Sequence, residues 1–157
     1  LILGGYIRRP VRFIMYYKIY NIPVLKWLFK AAKAIPIAGY KEDPEMYEKA
    51  FIEVKKALDE GDLVGIFPEG GLTSDGTIQP FKNGIEKIIS ETPVDVIPMS
   101  LSNLWGSLFS RKDKGVLKRR PRKFLAKIRL NVGEPISPKN ITKEVLRDKV
   151  AKLKSQK

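Results

Sequence analysis

Leu63-Val64-Gly65-Ile66-Phe67-Pro68-Glu69-Gly70-Gly71-Leu72-Thr73 constrains this chain more than any other stretch, because an apolar run stops there at a proline, an acid and two glycines. The run is short and is flanked by Gly61 and Pro68, which favours a buried strand over a helix. Proline cannot donate to a sheet ladder, so a strand is expected over Leu63 to Phe67, stopping at Pro68. Gly70 and Gly71 let the backbone turn sharply or approach a ligand closely. Glu69 then lies beyond the carboxyl end of a strand, where open α/β sheets gather their ligands. An ordinary turn, with Glu69 accepting from a neighbouring amide, has the same local pattern, so both readings stand.

The segments around this turn alternate between strand and helix. Arg12 to Tyr17 is rich in β-branched and aromatic residues and predicts a strand. Ile22 to Lys33 predicts a helix with an apolar stripe of Leu25, Leu28, Phe29 and Ala32 beside Lys26, Lys30 and Lys33. Such a helix is either a core helix with a solvated basic face or a helix at an anionic lipid surface, where Trp27 and the lysines suit the interface. Ala34 to Ala38 predicts a short strand. A helix follows, with Asp43 as N-cap, Pro44 at its first position, and Met46, Tyr47, Ala50, Phe51, Val54, Ala57 and Leu58 at helical spacing. It runs through Glu60, and Gly61 is its natural stop. Gly84 to Ser90 predicts a helix, Val94 to Leu101 a buried strand and Phe124 to Val132 an edge strand. Ile141 and Leu146 predict a hydrophobic staple around Thr142 as N-cap of a last helix, Lys143 to Leu153. The alternation predicts one α/β domain over residues 1–157, with a mixed, largely parallel sheet flanked by helices.

Composition removes several kinds of chemistry. The 157 residues include no Cys and no His, which excludes thiolate and imidazole nucleophiles, bases and metal ligands within this chain. No metal or cofactor is implied. The net charge of +13 favours an anionic partner: phospholipid head groups, an acidic carrier protein or nucleic acid. No helix-turn-helix pattern, zinc ligand set or aromatic–basic motif supports nucleic acid. No uncharged apolar stretch approaches about 18 residues. Phe13 to Phe29 comes nearest, and Lys18, Asn21, Pro23 and Lys26 interrupt it. Ser102 to Phe109 is apolar and includes Trp105. From Arg111 to Arg129 there are ten Lys or Arg and one acid, Asp113. That run reads as a charged loop and strand face, or as a membrane-surface contact. The first residue is Leu, so the chain is expected to be an excerpt of a longer polypeptide.

Four blocks in order carry a resemblance: Ala34-Ile35-Pro36-Ile37, Phe67-Pro68-Glu69-Gly70, Phe81-Lys82-Asn83-Gly84 and Val96-Ile97-Pro98-Met99. Over roughly Pro10 to Ser110 the chain resembles the glycerophospholipid acyltransferase family. Arg9 to Phe13 and Ala34 to Pro44 look most like the acyltransferase domain of the bacterial 2-acylglycerophosphoethanolamine acyltransferase/acyl-carrier-protein synthetase type.

The resemblance implies transfer of a fatty acyl chain from a thioester, acyl-carrier protein or acyl-CoA, to a lysophospholipid or glycerol-phosphate hydroxyl. It implies a peripheral place at the cytoplasmic face of an anionic membrane. It also implies a His-x4-Asp dyad as general base, with the acceptor hydroxyl itself as nucleophile. That block is absent. It is expected immediately before Leu1, and the chain alone is expected to be inactive. The implied substrate-binding residues are Lys41, Phe67, Pro68, Glu69, Gly70, Gly71, Thr73 and Lys82. Glu69 would accept a glycerol hydroxyl or pair a cation, and the N–H groups of Gly70 and Gly71 would face a phosphate or oxyanion. Where many members carry an Arg two residues after the block, this chain has Leu72, which favours a phosphodiester acceptor such as lysophosphatidylethanolamine. From a different class, a non-enzymatic module that binds anionic membrane or acidic carrier protein fits the charge as well.

Overall fold

The computed structural model describes residues 9–71, 77–102 and 129–155. The chain divides into two compact units, Leu1–Phe67 with Lys87–Pro93, and Pro68–Glu86 with Val94–Lys157.

The first unit is built on β1 (Val11–Tyr16), which lies between β2 (Ile35–Ile37) and β3 (Leu63–Gly65), paired parallel to both. The two halves of β1 use different neighbours. Val11 to Phe13 match Leu63 to Gly65, and Ile14 to Tyr16 match Ile35 to Ile37. A short helix, α1 (Tyr17–Tyr20), continues β1, and α2 (Pro23–Ala31) follows. Helix α3 (Pro44–Asp59) forms as its sequence predicts. Asp43 Oδ1 accepts the Met46 N–H at 2.9 Å and Pro44 opens the first turn. The helix ends at Gly61, whose φ of +80° suits a residue without Cβ. Its Ala50, Phe51 and Val54 pack with Ile14 and Ile35 of the sheet and with Ile88. Burying each larger member of this cluster contributes about 1.5–3 kcal/mol. Lys87 covers the edge of the cluster, pairing with Glu48 at 2.7 Å and lying 4.4 Å from the Phe51 ring centroid.

Helix α4 (Gly84–Glu91) runs in sequence from the second unit into the first. The second unit also holds β4 (Met99–Ser102) and β5 (Arg129–Val132), paired antiparallel, and α5 (Lys143–Ser155). Ile141 and Leu146 are buried on either side of Thr142, whose Oγ1 accepts the Val145 N–H at 3.1 Å, so the staple forms. Glu86 Oε1 accepts the Lys143 N–H at 3.1 Å and ties the start of α4 to the start of α5.

Three expectations change. The strand predicted over Val94 to Leu101 is broken: among the described residues Val96 makes only an isolated bridge to Ile136, and β4 begins at Met99. Pro98 between them has no N–H to donate, although its carbonyl accepts the Gly133 N–H at 2.9 Å. Strand β3 stops at Gly65, two residues before Phe67. The helix predicted over Ile22 to Lys33 forms over Pro23–Ala31 and is no core helix, since none of its residues is buried. Residues 124–128 of the predicted edge strand, the Trp105 segment and all of the basic run before Arg129 lie outside the described residues.

Candidate functional site

Strand β3 ends where it does because of an aromatic side chain on its neighbour. Phe13 stands opposite Gly65 in the register, and a Cβ at Gly65 would come within 2.6 Å of the Phe13 ring. The same ring stacks with Phe67 at 6.1 Å between centroids. Gly65 therefore leaves room for Phe13, and the chain turns out of the sheet with Phe67 laid against that ring. Phe67 remains largely exposed and belongs to the first unit.

Pro68 begins the second unit, and the described segments 68–71 and 77–82 are hydrogen-bonded to each other. The Lys82 N–H donates to the Pro68 carbonyl at 2.9 Å. One residue further in, the Gln79 N–H donates to Glu69 Oε2 at 2.8 Å. Glu69 is half-buried, and among the described residues its Oε1 has no partner. Gly70 has φ of +64°, and a Cβ there would meet Lys82 Cδ, Cε and Nζ at 2.8 Å. The Lys82 side chain thus lies across Gly70, in the space that glycine leaves open. Gly71 is exposed, and among the described residues nothing approaches its Cβ position. One carboxylate oxygen, one ammonium group and a stretch of backbone without side chains are held together on one loop. That arrangement can accept from a hydroxyl and attract an anion.

Of the residues expected to bind substrate, Pro68, Glu69, Gly70, Gly71 and Lys82 share this loop. Thr73, with Leu72, lies outside the described residues. Lys41 lies in the first unit, exposed on the turn between β2 and α3.

Two features escaped the sequence reading. That Glu69 accepts from an amide was one of the two readings of the turn, but that the amide is Gln79, ten residues on, is a matter of backbone that no side-chain pattern reveals. Beside Lys41, Glu42 accepts from the Tyr16 and Tyr17 hydroxyls at 2.9 Å and pairs with Lys18 at 3.0 Å. Lys18 first, then the two tyrosines, hold the Glu42 carboxyl down to about 2 from its ordinary 4.5. The Tyr16-Tyr17-Lys18 run gave only a weak signal, because the sequence does not say that β1 ends against the turn at Glu42.

Residues 1–102 match the family model described as Acyltransferase. The chain belongs to the Acyltransferase family. The matched span includes β1 to β4, the Phe67-Pro68-Glu69-Gly70 block and the whole 68–82 loop. The chain is similar to the chloroplastic 1-acyl-sn-glycerol-3-phosphate acyltransferase BAT2 of Brassica napus, with 29% identity over 68% of this chain. It is similar also to the chloroplastic 1-acyl-sn-glycerol-3-phosphate acyltransferase LPAT1 of Arabidopsis thaliana, with 27% identity over 69% of this chain. It spans 30% of the length of each. Among solved structures, the 1-acyl-sn-glycerophosphate acyltransferase PlsC of Thermotoga maritima matches with a TM-score of 0.63 and 22% identity, over 92% of this chain and 54% of that one. The α/β fold of this acyltransferase-family chain is therefore shared with that protein.

Proposed function

We propose that the chain forms the acceptor-binding part of an enzyme that moves a fatty acyl group from a thioester to a lysophospholipid hydroxyl. The observation that carries the reading is the pairing of residues 68–69 with 79–82, with Glu69 Oε1 unpartnered among the described residues and the Lys82 side chain across Gly70. In the reaction the acceptor hydroxyl oxygen attacks the thioester carbonyl carbon, the tetrahedral intermediate collapses, and the thiolate leaves. The hydroxyl proton passes to a general base. Glu69 orients the hydroxyl, and Lys82 with the Gly70 and Gly71 amides attracts the acceptor's phosphate. Glu69 is assigned to orienting the hydroxyl and not to taking its proton. The chain holds no histidine, so the reaction draws its base from outside these residues, by family resemblance from a His-x4-Asp block.

The similar plant proteins are named for 1-acyl-sn-glycerol-3-phosphate, which supports a phosphomonoester acceptor. Leu72, at the position where many family members have Arg, supports a phosphodiester such as lysophosphatidylethanolamine instead. Assaying both acceptors separates the two. Acyl-carrier protein and acyl-CoA are both anionic, and either suits a chain of charge +13.

The test compares the 157 residues alone with a version preceded by the His-x4-Asp block. The shorter chain is expected to give no acyl transfer and the longer one to turn over. In the longer version Glu69→Gln is expected to lower kcat/KM tenfold or more, a loss of at least about 1.4 kcal/mol of transition-state stabilisation. Its melting temperature should stay within a few degrees. Undiminished turnover in a well-folded Glu69→Gln protein overturns the assignment of Glu69, and turnover by the shorter chain overturns the assignment of the base.

A further inference from the structure

Helix α2 is amphipathic and yet buries none of its residues. Val24 is 77% exposed and Trp27 68%. Ile19, Ile22 and Leu25 close by are exposed as well. Val24, Trp27 and Ala31 follow one another at three- and four-residue spacing, so they share one face. Lys30, three residues after Trp27, borders that face, Lys26 lies one turn before it, and Lys33 stands just past the helix end. No carboxylate lies within ion-pair distance of these three lysines among the described residues. The sequence sharpens the contrast: residues 1–41 contain eight Lys and Arg and no Asp or Glu.

We propose that α2, with Ile19 and Ile22 ahead of it, is the surface by which this chain docks on an anionic lipid bilayer. Val24 and Trp27 enter the interface between head groups and acyl chains, while Lys26, Lys30 and Lys33 meet the phosphates. This deepens the lipid-acceptor reading by naming the surface that meets the lipid, and it rests on that reading only for its motive.

Three observations favour a bilayer over other occupants. Nine residues of helix extend roughly 14 Å, too short to cross a hydrocarbon core of about 30 Å, so the helix lies in the plane of the interface. A tryptophan bordered by lysines on an otherwise apolar face is the pattern of such helices. A second copy on the same face would set Lys26 and Lys30 of one chain against those of the other, since a two-fold contact repeats the same patch. An anionic lipid surface complements those charges instead.

The test uses the whole chain with Trp105→Phe, which leaves Trp27 as the single tryptophan. Vesicles of phosphatidylcholine with roughly one-third phosphatidylglycerol are expected to shift Trp27 emission to the blue, and brominated acyl chains to quench it. Binding should weaken in about 0.5 M salt and be at least tenfold weaker to phosphatidylcholine alone. Val24→Ser with Trp27→Ser, read by vesicle sedimentation, should lose about tenfold or more in affinity while the circular dichroism spectrum and Tm stay unchanged. Lys26→Gln and Lys30→Gln should each cost roughly fivefold, the equivalent of about 1 kcal/mol per lysine. Three results overturn the proposal. The first is Trp27 emission indifferent to vesicles. The second is a Val24→Ser, Trp27→Ser protein that binds as tightly as the parent chain, which assigns the contact to another basic segment. The third is a blue shift that follows protein concentration without lipid, which assigns the face to a second copy. None of these measurements involves turnover, so failure here leaves the acyl-transfer reading intact.

Discussion

Helix α2 begins at Pro23 and helix α3 at Pro44, and each ends on a residue with positive φ, Lys33 at +50° and Gly61 at +80°. Their last turns close with the same pair of hydrogen bonds. Ala34 N–H donates to the Phe29 carbonyl as Asp62 N–H does to that of Ala57, and Lys33 N–H to Lys30 as Gly61 N–H to Leu58. Both helices are amphipathic. Helix α3 buries Ala50, Phe51, Val54 and Ala57, whereas no residue of α2 is fully buried: Leu28 and Phe29 are half-buried and Val24 and Trp27 stand exposed. An apolar stripe therefore records that a helix has an apolar neighbour without saying whether that neighbour belongs to the same chain.

The largest expected effect sets the two stripes against each other. Phe51→Ala should lower the free energy of unfolding in urea by about 3–5 kcal/mol, because it opens a cavity in the first unit's core. Trp27→Ala should change it by no more than about 0.5 kcal/mol. A comparable loss for Trp27→Ala would break the comparison and make α2 a core helix.

A smaller effect tests the two helix ends. Lys33 holds a left-handed backbone conformation that costs an ordinary residue free energy and glycine little. Its carbonyl accepts from Arg12 Nε at 3.1 Å, which fixes that turn to β1. Lys33→Gly is expected to raise stability by about 0.5–1 kcal/mol, and Gly61→Lys to lower it by a similar amount. Measured with anionic vesicles, Lys33→Gly should also weaken binding, so that stability and lipid affinity move in opposite directions.

The smallest expected effect concerns the contact between β1, α1 and the turn before α3. The Glu42 carboxyl is held down to about 2, below its ordinary 4.5, by Lys18 and then by Tyr16 and Tyr17. Its contribution to stability is therefore fully present above pH 4.5 and fades as pH falls toward 2. Glu42→Gln should flatten the fall of Tm between pH 5 and pH 2 and leave the curve above pH 5 parallel to that of the unaltered chain. The whole group is exposed, so the difference should be small and should shrink with added salt.

What was legible in the sequence was local. Asp43, Pro44 and Gly61 mark the limits of α3 because a cap, a fixed φ and a missing Cβ act within a turn of the residues that carry them. Thr142 with Ile141 and Leu146 marks the start of α5 for the same reason. Phe67-Pro68-Glu69-Gly70 announced the turn, and Phe81-Lys82 its return, so the loop carrying Glu69 and Lys82 was readable from two short blocks.

The sequence by itself determined most of the order of helices and strands, though not α1 or the break before β4, together with the basic character and the absence of any imidazole or thiol. Only the tertiary structure decided that β3 ends at Gly65 under the Phe13 ring, that the Gln79 amide holds Glu69, and that Val24 and Trp27 of α2 face outward. Each of these depends on a partner far along the chain or on the lack of one. Backbone preference and side-chain spacing act over about one helical turn. A ring over a glycine, a carboxylate against a distant amide and an uncovered apolar face are fixed only when the segments pack.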